Sequence, residues 1–144
     1  MAKLALGLAC LAAAATAVPS GGDKAVLNLN GTWLTVAASI DGKPLPEADL
    51  AETKLTAVFQ DGKYTLFAKG QEVETGTYRL DPSRTPIAVD VRVLTGQDKG
   101  KTPVGILRID GDRLTLVLDM SGKVRPRTFA VASGNEVVIL QRKK

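Results

Sequence analysis

The chain contains no histidine, and its one cysteine, Cys10, lies within an N-terminal apolar run. Ser-His-Asp and Cys-His nucleophilic sites cannot be assembled from such a set, and zinc is denied its usual nitrogen and sulfur ligands. Aromatic residues are scarce, at one Trp, two Tyr and three Phe. Nor is the charge one-sided: 19 basic and 15 acidic residues leave a formal +4, spread along the chain rather than clustered among stacking aromatics as nucleic-acid recognition requires. Arg142-Lys143-Lys144 is the one basic run, and it reads as a solvated tail. Paired-carboxylate catalysis needs two acids brought together with their proton affinities pushed apart. The acids here sit mostly in turns or alternate outward, as Asp90 does between Val89 and Val91. This inventory predicts a protein that is not an enzyme and holds neither metal nor cofactor.

What is present begins with Met1-Ala2-Lys3, an apolar run from Leu4 to Val18, and the small-residue triplet Ala15-Thr16-Ala17 before Pro19-Ser20-Gly21-Gly22. A short basic segment, an apolar stretch and an A-x-A site define a secretory signal peptide. The run is shorter than the roughly 20 residues a membrane span needs. The expected organisation is a signal peptide over 1–17, a linker over 18–28 and a single β domain over 29–144. The expected location is periplasmic or extracellular, with no transmembrane span in the mature protein. The alternative location is a membrane-anchored lipoprotein acylated at Cys10, against which Leu8 stands one position late and the apolar run continues past the cysteine.

From about residue 32 onward, short alternating or β-branched segments are separated by Gly, Pro, Asn and Asp. The pattern predicts strands near 32–40, 53–60, 63–68, 72–80, 87–94, 103–109, 113–119 and 136–142. Asp61-Gly62 is a two-residue hairpin signal, because primed turns need positive φ where Gly and Asp tolerate it, and Asp110-Gly111-Asp112 reads the same way. Only 46–53 reads as helix, with Pro46 and acidic residues at its start. Eight strands joined by tight turns predict an all-β, antiparallel up-and-down barrel, since closure removes exposed edges.

Three local motifs are excluded by their surroundings. Gly96-Gln97-Asp98-Lys99-Gly100-Lys101-Thr102 has its first glycine too close for a P-loop and leads into a strand rather than a helix. Asp110-x-Asp112 lacks a calcium loop's bidentate Glu, because Ser121 stands at that position. Asn30-Gly31-Thr32 is a sequon by spelling, read here as structural because Thr32 leads into Trp33.

Gly31-Thr32-Trp33 opens the first strand and Arg142 closes the last. That pairing resembles the lipocalin and fatty-acid-binding (calycin) superfamily, where a G-x-W packs near an arginine of the final strand. Leu29-Asn30-Gly31-Thr32-Trp33, Asp41-Gly42-Lys43-Pro44, Gly76-Thr77-Tyr78, Leu80-Asp81-Pro82-Ser83 and Lys99-Gly100-Lys101-Thr102 together look more closely like a secreted, planctomycete-type lipocalin-like domain family of unknown function. The resemblance runs from about Leu29 to Arg142 and implies a lipocalin-like fold without implying an activity. One departure is Leu107, where the family pattern has an aromatic after Gly105-Ile106.

Trp33 and Tyr78 are the candidate ligand-binding residues. Trp33 with Arg142 is also the expected structural plug, with a cation–π contact worth about 0.5–2 kcal/mol. The leading functional expectation is a non-catalytic envelope module that binds a protein partner through the loops 81–86 and 96–102. The alternative is a barrel that binds or carries a small apolar ligand, and an enzyme is the distant third. Bulky inward sets, Leu55/Phe59, Leu114/Leu116/Leu118 and Ile139 with Val137, predict a mostly filled interior. Ala37, Ala57, Gly76, Val89, Val91 and Val93 leave room for a shallow apolar pocket near Tyr78.

Overall fold

The computed structural model describes residues 28–143. The signal peptide, Cys10 and nearly all of the linker lie outside the described residues. Among those described no helix is long and apolar enough to cross a membrane.

Eight strands close into an antiparallel barrel: β1 (Gly31–Ile40), β3 (Thr56–Gln60), β4 (Lys63–Ala68), β5 (Gln71–Asp81), β6 (Ile87–Thr95), β7 (Val104–Asp110), β8 (Arg113–Asp119) and β9 (Glu136–Arg142). Each pairs with its neighbour in chain order, and β9 pairs with β1 to complete the ring. A two-residue strand, β2 (Lys43–Pro44), and a helix, α1 (Glu47–Thr53), fill the connection between β1 and β3. The up-and-down order places alternate connections at opposite ends. One end carries the turns 61–62 and 111–112 and the loop 82–86. The other carries 41–55, 69–70, 96–103 and 120–135.

The turns follow from their residues. Asp61 and Gly62 have φ of 50° and 84°, the double positive φ of a type I′ hairpin whose twist suits the flanking strands. Asp41-Gly42 and Lys69-Gly70 adopt the same geometry. The second predicted hairpin turns on Gly111-Asp112, while Asp110 remains paired with Arg113.

The second predicted strand, 53–60, is shorter than the pattern suggested. Thr53 belongs to α1, and Lys54, at φ 49°, provides the left-handed residue that ends the helix, its N–H bonding to Leu50 O. Pairing therefore begins at Thr56.

A larger correction concerns β9. Val137 does not face inward: it packs outside the barrel with Ile106, Val117 and Phe129. The inward residues are Glu136, Val138 and Leu140. The parity was hidden because 137–140 is apolar on both faces, and the outer face is apolar because the 120–135 loop folds over it. Arg108 stacks on Phe129 at 4.5 Å, and Arg125 fastens the same loop. Its Nη1 donates to Val89 O and Gly105 O at 2.9 and 2.8 Å, and its Nη2 reaches Asp90 Oδ1 at 2.6 Å. Charged donors on carbonyls are among the stronger hydrogen bonds of a protein surface.

Candidate functional site

One end of the barrel is plugged. Trp33 is completely buried, its indole N–H donates to Leu29 O at 2.8 Å, and Arg142 lies over its ring with Cζ 4.2 Å from the centroid. The guanidinium also donates to Asn30 O at 2.9 Å and, more weakly, to Asn28 O at 3.4 Å. Gly31, at φ 131°, allows this approach, because a Cβ there would stand 3.2 Å from Arg142 Nη1. These groups satisfy one another, and Trp33 does not line the interior cavity.

Above the plug the barrel is incompletely filled. A cavity of about 140 Å³ runs from Leu29 and Leu140 near the plugged end to Glu74, Asp98 and Glu136 at the other. Its walls are formed by the leucines of β8, by Ala57 and Phe59 of β3, and by Val89, Val91 and Val93 of β6. The volume is close to that of an engineered apolar cavity that accepts benzene, about 150 Å³, and well below the roughly 300 Å³ at which drug-sized pockets begin. The space exists because alternate β6 positions are valines and β3 contributes an alanine, so an interior that eight strands leave just fillable is left short by about one ring.

Tyr78 lines this cavity, its ring meeting Phe59 edge-on at 5.4 Å and 87°. Its hydroxyl is turned toward the Asp61-Gly62 turn at the plugged end. Burial raises its pKa above the ordinary phenol value, against the opposing pull of the Gly62 backbone.

The polar groups of the open end are Tyr64, Glu74, Asp98 and Glu136; the sequence marked only Asp98, as part of the loop 96–102, and none of them as a cavity residue. Tyr64 is buried and donates to Glu74 Oε2 at 2.8 Å. Gly76, opposite it in the ladder, makes this possible: a Cβ there would fall 2.6 Å from the Tyr64 hydroxyl and against Arg92 O. Burial, then Glu74 and Asp98, hold the Tyr64 pKa well above the ordinary phenol value. Glu74 is itself raised, first by burial and then by Asp98, with Tyr64 acting in the opposite sense. Glu136 is raised by burial, then by Asp98 and Glu74, with Lys101 partly offsetting them. Asp98 is the member with an ion pair, to Lys101 Nζ at 3.0 Å.

Glu74 and Glu136 face inward and are exceptions to the expectation that carboxylates sit mostly in turns or alternate outward. Asp90 does point outward, to Arg125. Glu74 lies in Gln71-Glu72-Val73-Glu74-Thr75, where polar residues occupy both parities and conceal which one turns in. The loops 81–86 and 96–102 stand at opposite ends of the barrel and do not form one surface. Among the described residues no cluster of acidic residues has the arrangement of a metal site.

Models of known protein families and curated protein sequences were both compared with the chain, and neither yields a match.

Proposed function

We propose that this domain is a non-catalytic binding barrel for a small, compact apolar molecule, acting outside the cytoplasm. The observation that carries the reading is the cavity of about 140 Å³ with its almost wholly apolar wall. Burying an apolar solute in such a space removes about 25 cal/mol of unfavourable hydration per Å². A preformed cavity adds little ordering cost. The signal-type leader supports export, and the G-x-W and arginine arrangement supports kinship with lipocalin-like domains. The protein-partner reading has less support, because its two loops are separated by the length of the barrel.

Titration with toluene, p-xylene and indole, followed by thermal shift and calorimetry, tests the reading. Saturable one-to-one binding is expected, raising stability by about 2.7 kcal/mol at a hundredfold excess over Kd. Val91→Trp, which places an indole in the space, is expected to fold and to abolish binding. Failure of all three compounds to bind, or undiminished binding to a folded V91W, refutes it.

A further inference from the structure

Every charged residue lining the cavity is an acid: Glu74, Asp98 and Glu136, with no Lys or Arg on its wall. They come from three separate places in the chain, β5, the β6–β7 loop and the start of β9, and closure of the barrel brings them to the rim of one apolar space. Their partners are few. Asp98 is matched by Lys101 at 3.0 Å, and Glu74 accepts from Tyr64 at 2.8 Å. Glu136 has no hydrogen-bond or ion-pair partner among the described residues. A half-buried carboxylate without a partner is costly, and such groups are normally matched by a cation or a donor.

We propose that the barrel's ligand is an amine, with a compact ring or branched apolar group seated in the cavity and its ammonium held at the rim by Glu136 and Glu74. The inference rests on the binding reading above and adds the chemical class of the head group. An ammonium has three donors and no acceptor capacity, which suits a rim of acceptors. An anionic ligand would meet repulsion from three carboxylates against one lysine. Benzylamine matches the space, carrying one ring below and one ammonium above. The pairing favours ionised Glu136, so affinity rises with pH as that carboxyl loses its proton and levels off once it is fully charged. Glu74 and Asp98 act on the same equilibrium by holding Glu136's proton, and Lys101 by releasing it.

The test is a charge series on one ring: toluene, benzyl alcohol, benzylamine and phenylacetate, titrated at pH 7.5 into the parent, Glu136→Gln and Glu74→Gln. Benzylamine is expected to bind at least about tenfold tighter than toluene, as one charge-assisted hydrogen bond provides. Phenylacetate is expected to bind weakest. E136Q should remove most of the benzylamine advantage and leave toluene affinity unchanged, which distinguishes lost recognition from lost fold. Toluene binding with no benzylamine preference, or a preference that survives in both variants, overturns the amine assignment while the apolar-ligand reading stands. No binding by any member overturns both.

Discussion

Replacing Arg142 by Ala should strip the plugged end of its lid, and the size of the effect can be worked from the contacts. The guanidinium stacks on Trp33 at 4.2 Å, a cation–π contact worth about 0.5–2 kcal/mol, nearer the upper value when the ring is desolvated. Its hydrogen bond to Asn30 O at 2.9 Å is of the charged kind, worth about 1.5–3 kcal/mol. The bond to Asn28 O, at 3.4 Å, is long. The ion pair to Asp112, at 3.7 Å between side chains 29% and 40% exposed, lies in the range where surface pairs contribute about 0–1 kcal/mol. These terms overlap, so a loss of about 2–4 kcal/mol is expected, lowering Tm by roughly 10 °C for a domain of this size. Circular dichroism melts measure the loss. Trp33, as the single tryptophan, reports independently through a red shift in emission as water reaches the ring. Arg142→Lys retains the charge and loses the planar fork, so it should fall between the two. A melt within about 0.5 kcal/mol of the parent together with unchanged emission would refute the argument.

Gly76→Ala should cost about 1–3 kcal/mol by overpacking, since its Cβ would collide with Tyr64 and the Arg92 carbonyl; urea denaturation measures it, and a neutral result would refute the close packing of Tyr64 on β5. Glu136→Gln should stabilise the ligand-free protein increasingly as pH rises. The folded pKa of Glu136 is raised, so its favourable contribution is complete below the unfolded value of about 4.5 and is lost as pH rises through the folded one. Melts of the parent and E136Q from pH 4.5 to 8 should therefore diverge toward neutrality, and parallel curves would show that Glu136 carries no burial penalty. The lowered pKa values of Asp41 and Asp119, from hydrogen bonds donated by Ser133, Gly134, Ser121 and Val124, act in the opposite range, so their contribution is lost as pH falls below about 3.8.

Where one face meets the interior and the other meets water, the strands could be read from alternation, as in β6. Where a loop covers the outer face, as over β9, both parities are apolar and the rule had nothing to discriminate. The helix reading ended at Thr53, where α1 ends, but the following strand was begun too early, because Lys54 occupies the left-handed position that glycine usually marks. The plug was legible from Trp33 and Arg142, although its carbonyl partners were not, because Asn30 and Asn28 contribute backbone rather than side chain. The small residues that leave the cavity were visible one by one. The acids above it were not. Glu74, Asp98 and Glu136 are distant in sequence, carry no motif, and become neighbours only when β9 closes on β1.

That closure also gives the molecule a polarity. Asn30 and Arg142 are bonded to each other, and Lys143 N–H reaches Thr32 O at 2.8 Å, so the chain enters and leaves the barrel side by side at the plugged end. A fusion partner joined at either point hangs from the base, with the carboxylate rim at the opposite end of the barrel. A circular permutant reopened at Lys69-Gly70 would reverse this: the ends that meet are bridged with little strain, and the tether then rises beside the entrance.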